Sequence, residues 1–314
     1  MLKVLLNVFL LVLFSFLLPT ESPAFKQIDW ASINPSLKSA IPVNDTTECL
    51  DCHDDYIESF EKTKHAKAYR AIFGWSTPAS CEACHGPLSN HLKEKDLDKK
   101  LDSVVSFKNI SPEAKNSICM QCHEKGQSRN WMGSTHESAG VSCTNCHYVM
   151  TKRSKSKLFI KGDSIKVCFQ CHRDKRAKME RASHMPLREG KMSCTGCHNP
   201  HGSFGPNLLQ KATVNETCSD CHQDKRGPML WEHAPVRENC STCHDPHGSN
   251  FQSMLKRKPP YLCQQCHMDS FHPSSVYDGT QINAREAEIV GKSCINCHSM
   301  IHGSNHPSGA RFQR

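Results

Sequence analysis

No cysteine of this chain precedes Cys49, and none lies outside one repeated motif. The first absence removes any lipoprotein-type acylation site near the N-terminus, and the second leaves no thiol over for disulfides or redox chemistry. After Ala24 there is no apolar run long enough to cross a bilayer as a helix. Apolar residues are also scarce. Without the first 24 residues and the cysteines they make up roughly 28% of the chain, well under a globular domain's usual share. Side chains alone would build a poor core. A βαβ pattern, which a thioredoxin-like dithiol would need, is absent.

What the chain does have is Cys-x-x-Cys-His, ten times. The copies are Cys49, Cys52 and His53; Cys81, Cys84 and His85; Cys119, Cys122 and His123; Cys143, Cys146 and His147; Cys168, Cys171 and His172; Cys194, Cys197 and His198; Cys218, Cys221 and His222; Cys240, Cys243 and His244; Cys263, Cys266 and His267; and Cys294, Cys297 and His298. On one helical turn residues i and i+3 share a face and i+4 sits beside them. Two thiols can then bond the two haem vinyl groups while the adjacent imidazole reaches iron, which is the signature of covalent haem attachment. Zinc is the rival, since pairs of Cys-x-x-Cys build zinc ribbons, but a ribbon needs no histidine after every second cysteine. The cofactor expected is ten c-type haems.

Ten histidines lie outside the motifs, one for each: His65, His91, His136, His184, His201, His233, His247, His272, His302 and His306. That equality is the argument for bis-histidine ligation. An iron with two imidazoles has no vacant position, so it carries electrons and does not readily bind a substrate. No Cys-x-x-Cys-Lys variant occurs. The expectation is an electron-transfer protein and no catalytic residues. The alternatives are an open-site multihaem enzyme of the nitrite, hydroxylamine or tetrathionate type, and a filament-forming or electron-storing cytochrome. Methionine is a rival sixth ligand, with Met185 beside His184 as one candidate.

The expected fold is a multihaem cytochrome c: mostly irregular coil with short α-helices, almost no sheet, wrapped around an elongated stack of ten haems. Residues 1–24 read as a cleaved secretory signal, with Lys3, a 15-residue apolar run from Val4 to Leu18, and Ser22 and Ala24 at the cleavage positions. An uncleaved anchor is the competing reading. Residues 25–48 form an irregular strap that could dock on a partner, and 49–314 the haem domain. A mature chain of this length leaves about 29 residues per haem, a thin wrapping. The formal charge of +8 becomes about −12 once twenty propionates are added, which argues against a nucleic-acid partner. The basic run Lys152, Arg153, Lys155, Lys157 and Lys161 reads as a solvated loop, a propionate partner or a docking face.

The motifs fall into five doublets, beginning at Cys49, Cys119, Cys168, Cys218 and Cys263. Cys197-His198-Asn199-Pro200-His201-Gly202-Ser203 is mirrored by Cys243-His244-Asp245-Pro246-His247-Gly248-Ser249. The Pro and Gly of each copy suit a turn that swings the histidine between them back toward a haem. Tyr148-Val149-Met150 breaks the pattern after His147, so one ligand is expected from a distant segment. Ser111-Pro112 is expected to cap a helix running into Cys119. Leu92 to Phe107 is expected to face solvent. Trp131 and Trp231 are expected to pack on haem edges.

Motif number, chain length and stretches such as Cys84-His85-Gly86-Pro87 make the chain similar to the periplasmic decahaem cytochromes of the MtrA/DmsE type. The resemblance implies two pentahaem modules in tandem, about 49–190 and 191–314 here, with every haem bis-histidine ligated. It also implies insertion in an outer-membrane β-barrel porin (MtrB-like). The partners it implies are a periplasmic or inner-membrane cytochrome on one side, and an outer-surface multihaem cytochrome, mineral iron or a terminal reductase on the other. The direction of flow is set by the free energies at the two ends.

Overall fold

A computed structural model describes residues 28–43, 47–76, 78–154, 157–267, 293–307 and 309–313. Residues 1–24, read above as the signal, and His272 lie outside the described residues. The described chain has short α- and 3-10 helices joined by turns, and its only sheet-like pairings are isolated bridges. That is the coil-rich architecture expected of a chain whose apolar content is low. Two units are distinguished. One joins the segment up to Asn44 with Cys81–Lys125; the other joins Asp45–Ser80 with Gly126–Arg314.

The first unit has a small core of Leu37, Val105 and Ile118, with Trp30, Ile33, Phe107 and Ile110 packed against it. The leading strap is stitched to this core by polar contacts. The Asn34 amide donates to the Asp102 and Val104 carbonyls, and the Ile41 N–H donates to Ser89 Oγ. Burial pushes the Glu82 carboxyl above its ordinary value, against the N–H donors of Leu88 and Val43 that it accepts at 2.8 and 3.0 Å. The solvent-facing expectation for Leu92–Phe107 needs correction at its end. Two helical turns, Ser89–Lys93 and Leu97–Asp102, are followed by Val105, which is fully buried. Val105 gains by leaving water beside Leu37 and Ile118, while the charged turn before it stays largely exposed.

In both units a leading motif enters from a capped helix. The helix Pro112–Met120 starts on Ser111, whose Oγ accepts from Ala114 N at 3.2 Å, as the sequence indicated. Its counterparts Ser164–Cys168 and Val214–Ser219 start on Asp163 and Thr213, which accept from Lys166 N and Glu216 N. Each cap satisfies an N–H that a short helix would otherwise leave bare. The closing motifs of the last three doublets are single 3-10 turns, Cys194–Gly196, Cys240–Thr242 and Cys294–Asn296.

Candidate haem-binding sites

From Cys119 onward every motif is one helical turn, closed by a hydrogen bond from the histidine N–H to the carbonyl of its first cysteine at 2.9–3.2 Å. Both thiols and the imidazole are thereby set on one side of the turn. In the second unit the motifs touch in chain order. First cysteines meet within doublets: the thiols of Cys168 and Cys194, Cys218 and Cys240, and Cys263 and Cys294 are in hydrogen-bond contact. Second cysteines approach between doublets, Cys146 near Cys171, Cys197 near Cys221 and Cys243 near Cys266. Burial pushes Cys146, Cys197 and Cys243 above the usual thiol value. The motif of Cys143 is thus linked step by step to that of Cys294.

Motif histidines face non-motif histidines in five pairs among the described residues. The ring centroids of His136 and His172, His147 and His201, and His233 and His267 are 6.1 Å apart, as are those of His244 and His302. His198 and His247 are separated by 6.2 Å. A ligand bond of about 2.0 Å on each side, plus about 1.1 Å from each nitrogen to its ring centre, places two imidazoles on one metal about 6.2 Å apart. The spacing therefore fits an iron between each pair. No three or more His, Cys, Asp or Glu side chains converge among the described residues as a zinc ribbon would require.

In each pair a second ring nitrogen of one histidine is also engaged. In all five closing motifs the imidazole Nδ1 lies on a backbone carbonyl: His85 on Val105, His147 on Lys157, His198 on Asn207, His244 on Ser253 and His298 on Arg311, at 2.6–2.9 Å. For the leading motifs of His172 and His267 the facing histidine is the one anchored, His136 on Pro200 and His233 on Ile301. An Nδ1–H that donates to a carbonyl fixes the tautomer and turns the Nε2 lone pair toward a metal. Each of the five pairs thus has one anchored ring. Burial lowers the proton affinity of His233, His247 and His302, which keeps them neutral and able to ligate.

Three of these carbonyl anchors come from a recurring strained loop. Lys157, Asn207 and Ser253 are left-handed at φ 59°, 52° and 54°, and Leu158, Leu208 and Met254 after them are left-handed too. Antiparallel bridges from His147 to Phe159, His198 to Leu209 and His244 to Leu255 close the loop on the motif. Non-glycine residues in this region cost on the order of 1 kcal/mol or more each, strain that the surrounding contacts must offset. Nothing in residue type marks a carbonyl as an anchor. The paired apolar residues Leu158-Phe159, Leu208-Leu209 and Met254-Leu255 behind the closing histidines were the signal available.

The His-Gly turns dock one doublet on the one before. Gly202, Gly248 and Gly303 have φ of +110°, +128° and +126°, and a Cβ on them would overlap the Asn130 carbonyl, the Lys178 carbonyl and the Met229 side chain respectively. The histidine before each glycine reaches the closing motif of the preceding doublet, and the residue before His201 and His302 lends its carbonyl to His136 and His233. The Pro200-His201 and Ile301-His302 segments therefore each touch two histidine pairs. Trp131, 5% exposed, packs edge-on against His201, and its indole N–H has no partner among the described residues. A buried orphan donor of this kind suits a bound group that carries carboxylates.

The structure places four further predicted ligands. His184 Nδ1 lies on the Arg181 carbonyl at 2.7 Å and its Nε2 on Glu189 at 3.2 Å, which raise its pKa. His91 holds the Lys100 carbonyl, His65 opens the helix Lys64–Phe73, and the His306 N–H donates to Ser304 Oγ.

Comparison with known proteins places the chain among cytochromes. A doubled CXXCH motif matches residues 184–227 and 233–271, each stretch beginning on a non-motif histidine. A cytochrome c-type NrfB-like model matches 81–171, and a cytochrome c554 and c-prime model matches 48–75. NrfB of Haemophilus influenzae is 27% identical over 30% of this chain and 43% of its own length. The multihaem cytochrome MtrA of Shewanella baltica is 43% identical over 85% of this chain and 80% of its own length. The chain belongs to the MtrA family of multihaem c-type cytochromes, electron-transfer proteins with covalently bound haem.

Proposed function

We propose that the chain carries ten haems, all bis-histidine ligated, and conducts electrons between the periplasm and the cell exterior from within an outer-membrane porin. The five imidazole pairs at 6.1–6.2 Å carry this reading, because a ring on each face leaves no position for a substrate. Bound haem supplies one-electron iron chemistry. The chain's own residues attach it, orient both imidazoles through their Nδ1 anchors, and keep successive attachment points adjacent.

Within that reading a leading motif takes its second imidazole from the preceding doublet, His136 for His172 and His233 for His267. A closing motif takes it from the following doublet, His201 for His147, His247 for His198 and His302 for His244. The same rule gives His184 to His222. Its exposed contact with Glu189 is weak beside a metal–imidazole bond and would yield to it. His65, His91, His272 and His306 are then left for His53, His85, His123 and His298.

Export by cleavage after Ala24, a β-barrel porin as host, a periplasmic or inner-membrane cytochrome as one partner and an outer-surface cytochrome or terminal reductase as the other complete the proposal. The relationship to MtrA supports it. Isolating the native complex from outer membranes should bring down a large β-barrel, and the oxidised protein should be low-spin throughout with ten irons per chain. A high-spin haem that binds nitrite or hydroxylamine would instead favour an enzyme.

A further inference from the structure

Two copies of one segment differ at a chemically telling position. In Asn199-Pro200-His201-Gly202 and Asp245-Pro246-His247-Gly248 the histidine N–H donates to the side-chain oxygen two residues earlier, at 3.1 Å in both. The backbones match, but the charges do not. Asp245 Oδ1 is also 3.7 Å from His247 Nδ1, while its other oxygen takes Lys178 Nζ at 2.6 Å. The Asn199 amide instead donates to the Gln127 carbonyl at 3.4 Å. Asp245 and Lys178 are 17% and 32% exposed, so water dilutes their fields only in part. With Lys178 Nζ on one oxygen and the His247 N–H on the other, the Asp245 carboxyl is held as an anion. Lys175, paired with Asp174 at 2.7 Å, is the other cation that acts on His247.

A carboxylate beside the Nδ1 of a ligating imidazole raises the basicity of that ligand and favours the more highly charged metal. We propose that Asp245 is a tuning residue: it holds the haem attached through Cys194, Cys197 and His198 at a lower reduction potential than the haem attached through Cys143, Cys146 and His147. The inference rests on the pairing proposed above, in which His247 is the second imidazole of the first haem and His201, beside neutral Asn199, that of the second. Lys178 offsets the carboxylate only partly, because it binds the oxygen turned away from the ring. The carboxylate itself neither gains nor loses an electron. It sets a step in the middle of an otherwise repeating series, and Asn199 leaves the neighbouring position without one.

The test is potentiometric titration of the full-length, haem-loaded protein, followed by optical and magnetic spectra. Asp245→Asn should raise one of the ten potentials, with about a tenfold change in the one-electron equilibrium, about 59 mV. Lys178→Gln should lower the same potential, and Asn199→Asp should lower a different one. A merely structural role would not produce opposite signs at one haem. If Asp245→Asn moves no potential, or moves it in the same direction as Lys178→Gln, the proposal is overturned. His247→Ala identifies the haem. Should it perturb a haem other than the one on His198, the pairing fails and the tuning with it; should it perturb the His198 haem while Asp245→Asn moves no potential, the pairing stands and the tuning alone is lost.

Discussion

His147 and His201 stand 6.1 Å apart with their rings inclined by only 19°, although they belong to different doublets. No histidine follows His147 closely in its own doublet, and the imidazole that faces it comes from the next one. Replacing His201 with alanine should therefore leave the number of covalent haems unchanged and alter the ligand field of one, the haem on Cys143 and Cys146. Magnetic spectra identical to the parent's would remove His201 from the ligand set.

The glycine after that histidine is a docking point. At Gly202 alanine would meet both a φ of +110° and the Asn130 carbonyl, whereas at Gly190, with φ +69°, nothing lies within 4 Å of the added carbon. Gly190→Ala should cost about 1 kcal/mol, the left-handed penalty alone. Gly202→Ala should cost about 3 kcal/mol or more, since backbone must also move. Denaturant unfolding of the two variants checks the ranking. Equal destabilisation would mean that the His-Gly turn does not dock on Asn130.

Local features of this fold were legible in the residues, and docking was not. The motifs, the Ser111 cap, the Pro-Gly turns and a coil-rich chain all depend on neighbours in sequence, so residue type was enough to find them. Which imidazole faces which depends on how a doublet seats on the one before it, and two equivalent histidines look alike in a sequence. The carbonyl anchors were hidden for a different reason: every residue has a carbonyl, and it is a left-handed turn that aims those of Lys157, Asn207 and Ser253 at a ring. Val105 was obscured by the charges that precede it.

Cys194 and Cys168 share a hydrogen bond across a doublet, yet each belongs to its own attachment site. Changing Cys194 and Cys197 together to serine should yield nine covalent haems by intact mass, with the Cys168 site still loaded. Retention of ten would refute attachment through this motif. Loss of two would mean that neighbouring sites load together.

Lys178 and Asp245 tie two doublets together, and their pair gives the stability a defined pH dependence. The Asp245 carboxyl lies below its ordinary value of 3.8 in the folded chain, so the unfolded chain binds the proton more readily. Its contribution is therefore fully present above the unfolded value and is lost as pH falls through the folded one. Asp245→Asn never has that contribution. The stability gap between parent and variant should be widest above about pH 4 and should close as the solution is made more acid. Denaturant unfolding at a series of pH values measures it; a gap that is constant or grows toward acid would show that the Lys178 ion pair does not stabilise the charged carboxylate.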